Sequence, residues 1–249
     1  MWNWVWVILM VLGLVLSVNN TQTSLPEFFA NFDQFAEIFV QMAQPDWSYA
    51  GTAIPYLVET IKMAIISTVI GSLLAFVYSL LIARNIVHNR AITGVLRFIM
   101  NIIRTIPDLL LASIFVAVVG IGPVAGILAL TVFTFGVVVK LLYEAIETID
   151  PGPSEAIKAV GGNGMNNIMF AVMPQILPYF ISYALYAFEI NVRASTILGY
   201  IGAGGIGLQL KNTLDMFNYN QTGMIILVVF LVVLVIDFVS TKAREALMC

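Results

Sequence analysis

The sequence predicts an all-α polytopic membrane protein with about six transmembrane helices. Hydrophobic residues make up 60% of the 249-residue chain, whereas charged residues make up only 10%. A soluble domain carries about 25% charged residues, so this chain could not cover a water-facing surface. A helix needs about 20 apolar residues to cross a bilayer, and lipid tolerates no unpaired backbone groups. Six stretches fit a helical span: 2–18, 56–83, 98–119, 123–143, 176–198 and 222–241.

The first stretch has two interpretations, a retained span or a cleaved signal peptide. A signal peptide carries a basic leader and a small-residue cleavage site. The chain has no Lys or Arg before Lys62, and Trp2, Trp4 and Trp6 suit a membrane interface. We therefore expect a retained span.

The distribution of Lys and Arg predicts the orientation, because cytoplasmic loops of membrane proteins are enriched in positive charge. An N-terminus on the inner side leaves only Lys62 and Lys211 on the outer side. Segment 19–54, which has no Lys or Arg, then lies outside. The inner side receives Arg84, Arg90, Arg97, Lys140, Lys158, Lys242 and Arg244.

The chain divides into an N-terminal part, 1–54, and a transmembrane domain, 55–249. The N-terminal part holds the first span and an amphipathic helix predicted over 26–43, on the outer interface. Helical spacing relates its phenylalanines, Phe28, Phe32, Phe35 and Phe39. This helix has two possible roles, a structural collar or a surface that docks a receptor.

The inner segment 144–175 is too polar to span the membrane. Asp150 can cap a short helix over 154–160, with a proline in its first turn. Gly161 and Gly162 can end that helix, because glycine accepts the left-handed conformation. A second short helix follows, and Pro174 and Pro178 fix where the chain re-enters the membrane. We expect a rigid helix–turn–helix, which is a docking shape.

The same segment resembles the EAA motif of ABC-importer permeases. The run EAIKAVG, from Glu155 to Gly161, is followed thirteen positions later by Pro174. The sequence departs from the motif at Ile157, where alanine is usual, and at Met173, where leucine is usual. Both replacements remain compatible with a helix.

Further stretches over 45–210 resemble the phosphonate-type subgroup of these permeases. The most specific is FEINVRAST over 188–196, followed by the glycine-rich run that begins at Gly202. Shorter matches are PDWS at 45–48, ARN at 83–85, RTIP at 104–107, EAIE at 144–147, IDPG at 149–152 and PQILP at 174–178.

The resemblance implies the MetI-like permease fold, with a cytoplasmic coupling helix between spans four and five. The chain would be the permease subunit of an ABC importer in the cytoplasmic (inner) membrane of a prokaryote, carrying phosphonate, phosphite or a related oxyanion. It would not be an enzyme and would bind no cofactor, since ATP and Mg would sit on the partner ATPase.

The same resemblance implies four partners: two copies of a cytoplasmic ATP-binding subunit, an extracytoplasmic substrate-binding protein, a second copy of this chain, and the lipid bilayer. The ATPase would dock on the coupling helix and drive the spans between inward-open and outward-open states. The residues assigned to that contact are Ser154, Glu155, Ala156, Lys158, Ala159 and Gly161.

Charged residues inside the spans are candidate pathway residues. Glu189 and Arg193 lie four positions apart and can pair on one helix face. A charge facing lipid costs about 2.5–3.5 kcal/mol, so both should face the protein interior or the pathway. Arg193 could attract the anion, or the pair could simply lock helices together. Asn191, on another face of the helix, can bond a neighbouring span.

Two further residues join this pathway group, Arg104 and Thr196. Arg104 has three interpretations: it lines the pathway, it pairs with Asp108, or its side chain reaches the inner interface. Thr196 belongs to the run that resembles the permease family.

The glycine-rich run supplies Gly202, Gly204, Gly205 and Gly207. A dinucleotide site would need this GxGxxG pattern between a strand and a helix, and here it follows a span. We expect these glycines to allow close backbone approach at the outer mouth of the pathway or at the dimer axis. The sequence also lacks the GxxxxGK[ST] motif of an ATPase.

Alternatives remain at this point. The chain could carry another solute, such as methionine or a quaternary amine, or it could be a stand-alone secondary transporter or channel. An intramembrane enzyme or multi-histidine metal site is hard to build, because His88 and Cys249 are the only His and Cys. A net charge of −3 argues against nucleic acid as a partner.

Overall fold

The computed structural model describes residues 2–20 and 30–248, and every regular element in these ranges is helical. Contacts divide the chain into two compact units, Met1–Gln44 and Pro45–Cys249.

The first unit holds helices α1 (Trp2–Asn20) and α2 (Phe32–Met42). In α1, Trp4–Val18 forms an apolar stretch that is shorter than the long apolar helices of the second unit. In α2, the rings of Phe35 and Phe39 contact each other at a tilt of 49° with centroids 4.6 Å apart, and the Phe32 ring centroid lies 6.1 Å from that of Phe35. Part of the predicted amphipathic helix, 26–29 with Phe28, lies outside the described residues.

The second unit starts with a 3₁₀ turn, Trp47–Tyr49, in which the Ser48 N–H donates to the Asp46 carboxylate. Four helical runs in the described part are long and apolar enough to cross a membrane: Trp47–Ile82, Pro123–Thr148, Gly164–Tyr200 and Tyr219–Leu247. The elements after the 3₁₀ turn are α3 (Ala50–Ile82), α4 (Arg90–Thr105), α5 (Asp108–Val119), α6 (Pro123–Thr148), α7 (Gly152–Ala159), α8 (Gly164–Asn166), a π-helical stretch (Asn167–Val172), α9 (Met173–Tyr200), α10 (Ile206–Asp215) and α11 (Tyr219–Met248).

The predicted span 98–119 is corrected by the structure, which breaks it into α4 and α5 with a bend of 85°. The break falls at Ile106 and Pro107, both in extended backbone conformations. Proline has no N–H to donate, and it disfavours a helical conformation at the residue before it. The described residues thus contain four helices long and apolar enough to span a membrane, or five spans where the bent pair counts as one.

The core forms where α3 packs along α6, with α9 against both. Small residues allow the close approach of α3 and α6: a Cβ at Gly71 would lie 2.7 Å from the Thr134 Cβ. Ala75, Val138 and Val139 are fully buried at the same interface. Van der Waals packing of small residues drives helix association in lipid, where burial of apolar surface alone supplies little.

Candidate functional site

The predicted coupling helix is α7, which runs over Gly152–Ala159 rather than 154–160. At its start, the Asp150 carboxylate accepts a hydrogen bond of 2.9 Å from the Gly152 N–H. At its end, Gly161 takes a φ of +77° and the Gly162 N–H donates to the Ile157 carbonyl. The capping and stop signals of the sequence therefore define a short, stiff helix between α6 and α9.

We define the coupling segment as residues 150–172, which carry large apolar side chains that nothing in the described chain covers. Val160 is 82% exposed, and Met165, Met169 and Phe170 are each more than 60% exposed. No residue of α7 is buried, so the predicted ATPase contacts are accessible; Ser154 is half-buried and Glu155, Ala156, Lys158, Ala159 and Gly161 are exposed. Their role in ATPase contact stays a prediction.

Hydrogen bonds of Gln175 in α9 hold both ends of the coupling segment, because its amide donates to the Asp150 and Ala171 carbonyls at 3.3 and 2.8 Å. Gln175 in α9 accepts from the Asp150 N–H at 3.1 Å. At the inner end of α6, Glu147 forms an ion pair with Arg97 of α4. Arg97 also donates two hydrogen bonds to the last α3 carbonyl, that of Ile82, at 2.8 and 3.1 Å. Sequence reasoning had assigned Arg97 and Glu147 no partner, because the pair is 50 residues apart.

Glu189 of α9 is the centre of a charged cluster. Its side chain is only 7% exposed, and it forms the predicted pair with Arg193, one turn along the helix. Its other oxygen accepts a hydrogen bond of 3.1 Å from Arg244 of α11. Arg193 is 53% exposed and lies 3.9 Å from the Asp237 carboxylate of α11. Four charged groups on two membrane-spanning helices thus meet at one place.

Asn191 lies on another face of α9 and is fully buried. Its amide donates to the Thr68 hydroxyl of α3 at 2.8 Å and to the Thr134 hydroxyl of α6 at 2.7 Å. The predicted bond to another span is present twice, and it joins the three core helices. A lining role for Asn191 in the pathway remains a prediction.

Arg104 and Asp108 lie on either side of the α4–α5 break and line one small cavity of about 120 Å³. Among the described residues, the ion pairs do not include one between them. Gly136 of α6 makes room for Arg104, whose Cγ would be 2.9 Å from a Cβ there. Thr196 is half-buried, and its hydroxyl bonds the Val192 carbonyl of its own helix.

The glycine-rich run folds into what we call the glycine knot, residues 199–207 packed against Thr60 and Pro123. A Cβ at Gly207 would lie 1.9 Å from the Thr196 carbonyl oxygen. Gly205 takes a φ of +69°, and the next N–H, of Ile206, donates to the Thr60 hydroxyl at 2.8 Å. The predicted close backbone approach is therefore present, and it joins α9 to the outer ends of α3 and α6.

Two members of the charged cluster, Asp237 and Arg244, were not predicted as site residues from the sequence. The available signal was weak: Asp237 is the one charge in the apolar stretch 222–241, seven residues before Arg244. Seven residues are close to two helical turns, so the two side chains share a face of α11.

Comparisons with known proteins agree with this architecture. The family model of the binding-protein-dependent transport system inner membrane component matches residues 75–244. A chain of the MetNI methionine ABC transporter, in an inward-facing conformation, superposes with a TM-score of 0.71 at 25% identity. That match covers 81% of this chain and 99% of the MetNI chain.

Two relatives are similar in sequence over most of this chain. The phosphate-import permease protein PhnE of Mycolicibacterium smegmatis is 37% identical over 211 residues, which are 84% of this chain and 40% of the relative. The phosphite transport system permease protein PtxC of Stutzerimonas stutzeri is 38% identical over 201 residues, 81% of this chain and 73% of the relative. This chain is a multi-pass protein of the cytoplasmic membrane, and it belongs to the family of binding-protein-dependent transport system inner membrane components.

Proposed function

We propose that this chain is the permease subunit of an ABC importer for phosphonate, phosphite, phosphate or a related small oxyanion. The substrate class follows from the two relatives, which are named for phosphate and phosphite transport. The family name itself implies that a separate protein delivers the substrate.

The observation that carries the proposal is the uncovered apolar surface of the coupling segment. Val160 projects from the polar stretch that precedes the helical run Gly164–Tyr200, and Met165, Met169 and Phe170 project from the inner end of that run. Exposed apolar groups surrounded by polar ones are typical of a protein–protein interface. A cytoplasmic ATPase is the partner that fits, because the chain lacks a nucleotide-binding motif of its own. ATP and Mg belong to that partner.

Stiffness of the coupling segment supports a mechanical role. Its caps and its bonds to Gln175 of α9 would let a displacement of α7 move the spans instead of being absorbed by a loop. Closure of two ATPases would thus drive two copies of this chain between inward-open and outward-open states.

The exposed charges of α9 and α11 support a pathway along this face. Arg193 and Asp237 are each about half exposed in a single chain. Charged groups facing lipid are unfavourable, so a second copy or a water-filled path should cover them. Arg193 would attract the anion there, with Thr196 and Arg104 along the same route and the glycine knot at its outer mouth.

Co-purification and uptake test the proposal together. The chain is co-expressed with the ATPase and the binding protein that serve the same importer in its source organism, purified through a tag, and reconstituted in proteoliposomes. We expect the ATPase to co-purify, and ATP to drive uptake of phosphite, phosphate or methylphosphonate. A matched variant lacking 152–162 should reach the membrane but lose the ATPase.

Three outcomes contradict the proposal in different ways. Uptake driven by an ion gradient without ATPase would indicate a secondary transporter. ATP-driven uptake that methionine or choline inhibits, and that oxyanions do not, would replace the substrate class. Normal ATPase recovery with the 152–162 deletion would remove the coupling segment from the docking site.

A further inference from the structure

The two arginines on Glu189 differ in how firmly they are held. Arg244 is 23% exposed and donates to both Glu189, at 3.1 Å, and Thr241, at 3.1 Å. Its guanidinium also lies 5.8 Å from the centre of the Tyr186 ring. Arg193 is 53% exposed and touches only carboxylates in the described chain, those of Glu189 and Asp237. Arg244 is therefore the more buried and more extensively bonded partner of Glu189, and Arg193 the more exposed one.

The burial of Glu189 makes this difference matter. A buried carboxylate that loses its one cation is strongly destabilised, because nothing replaces the lost interaction in a medium of low dielectric. Glu189 uses one oxygen for each arginine. When Arg193 turns away, Arg244 keeps Glu189 paired, so the cost of releasing Arg193 is small.

A released Arg193 has the chemistry of an oxyanion ligand. Its planar guanidinium can donate two parallel hydrogen bonds to two oxygens of a phosphoryl or phosphite group. The carboxylates of Glu189 and Asp237 then compete with the anion for the same guanidinium. Such competition keeps the anion weakly held, as transport requires a site that also lets its ion leave.

We infer that Arg193 is an exchangeable ligand for the transported oxyanion, and that Arg244 is the positioning residue that frees it by neutralising Glu189. This inference rests on the proposed function, since it needs an oxyanion in the pathway. It goes further by giving a role to a residue on a different helix, 55 positions away from Glu189.

A rescue experiment tests the inference in the full importer, reconstituted in proteoliposomes and assayed by phosphite uptake. In Arg244→Gln, Arg193 becomes the only cation on Glu189, and uptake should fall about tenfold or more. Adding Glu189→Gln removes the charge that holds Arg193, so the double variant should recover at least about half of wild-type uptake. Arg193→Gln should lose uptake, and Glu189→Gln should not restore it.

Matched controls separate the inference from general damage. Lys140→Gln removes another i, i+4 ion pair within a span, that with Glu144, and should leave uptake within about twofold of wild type. Abundance and ATPase recovery are compared for every variant. If Arg244→Gln does not accumulate in the membrane, the single variant Glu189→Gln replaces it in the test. This variant removes a carboxylate that competes for Arg193, so it should lower the apparent KM for phosphite.

The inference is overturned if the Arg244→Gln, Glu189→Gln double variant stays as inactive as Arg244→Gln at equal abundance. Normal uptake by Arg193→Gln also overturns it. Failure of the wild-type importer to take up phosphite, phosphate or methylphosphonate is a separate result, because it counts against the proposed function itself.

Discussion

The glycine knot and the coupling segment lie at opposite ends of α9 and follow opposite rules of packing. In the glycine knot, backbones touch so closely that Gly207 has no room even for a methyl group. In the coupling segment, Phe170 is 64% exposed and Val160 is 82% exposed. The first end is packed within the chain, whereas the second leaves apolar side chains that no other described residue covers. The difference teaches that substitutions at the knot should damage folding, whereas substitutions at the segment should damage assembly and transport.

The largest effect is expected from Gly207→Ala. The new methyl group would meet the Thr196 backbone, which cannot move like a side-chain tip. We expect a loss of at least about 3 kcal/mol of stability, measured as the folded fraction in detergent during heating. Gly94→Ala in α4, where nothing lies within 4 Å, is the matched control and should be neutral or stabilising. Equal stability of the two variants would show that the knot is not tightly packed.

Next in size is Gly161→Pro in the coupling segment. Proline cannot take the φ of +77°, and it removes the N–H that donates to the Lys158 carbonyl at 3.0 Å. We expect ATP-driven uptake to fall to background while membrane abundance stays normal. Gly164→Ala, three residues away and with open space around it, should transport normally. Undiminished uptake by Gly161→Pro would contradict the coupling role.

A smaller effect is expected from Phe170→Ser, which removes an exposed apolar anchor without disturbing the fold. The Kd for the ATPase should rise about tenfold, equivalent to about 1.4 kcal/mol. Phe217→Ser is the control, because Phe217 is also exposed, at 74%, and the charge distribution places it on the opposite side of the membrane. If both variants bind the ATPase as the wild type does, the exposed apolar surface has another purpose.

The smallest effect concerns Asp46, which caps the 3₁₀ turn ahead of α3. Hydrogen bonds from the Ser48 hydroxyl and N–H, at 2.6 and 3.0 Å, hold the pKa of this carboxyl below its usual value. A lowered folded pKa stabilises the fold above the unfolded pKa, and the contribution disappears as pH falls through the folded pKa. The Tm difference between wild type and Asp46→Asn should therefore shrink on acidification below about pH 4. A difference independent of pH would exclude this charge effect.

Local signals made much of this fold predictable. The length of the apolar stretches predicted the positions of the spans. Asp150 and Gly161 predicted the ends of α7, because helix capping and left-handed helix termination depend on only a few neighbouring residues. The spacing of Glu189 and Arg193 likewise predicted their pair. Pro107 indicated a break in the helix. The span was nevertheless predicted from hydropathy, which does not detect the 85° bend between α4 and α5.

Contacts between distant positions were not predictable in the same way. The partners of Glu189 and Glu147 on other helices, Arg244 and Arg97, depend on how helices cross, which a single sequence does not encode locally. The helix α10, Ile206–Asp215, was also missed within a predicted outer loop, because it is short and mostly polar.

The helical run Gly164–Tyr200 continues without a break from the coupling segment to the glycine knot. Its 37 residues span about 55 Å at about 1.5 Å each, and the π-helical stretch lies within it. Because the glycine knot packs tightly around its outer end, a rigid-body tilt of this run would have its hinge there. A tilt of about 5° would carry its inner tip through about 5 Å, whereas side chains near the hinge would hardly shift. Glu189 lies 11 residues, about 16 Å, from Tyr200, so the same tilt would shift the charged cluster by only about 1.5 Å.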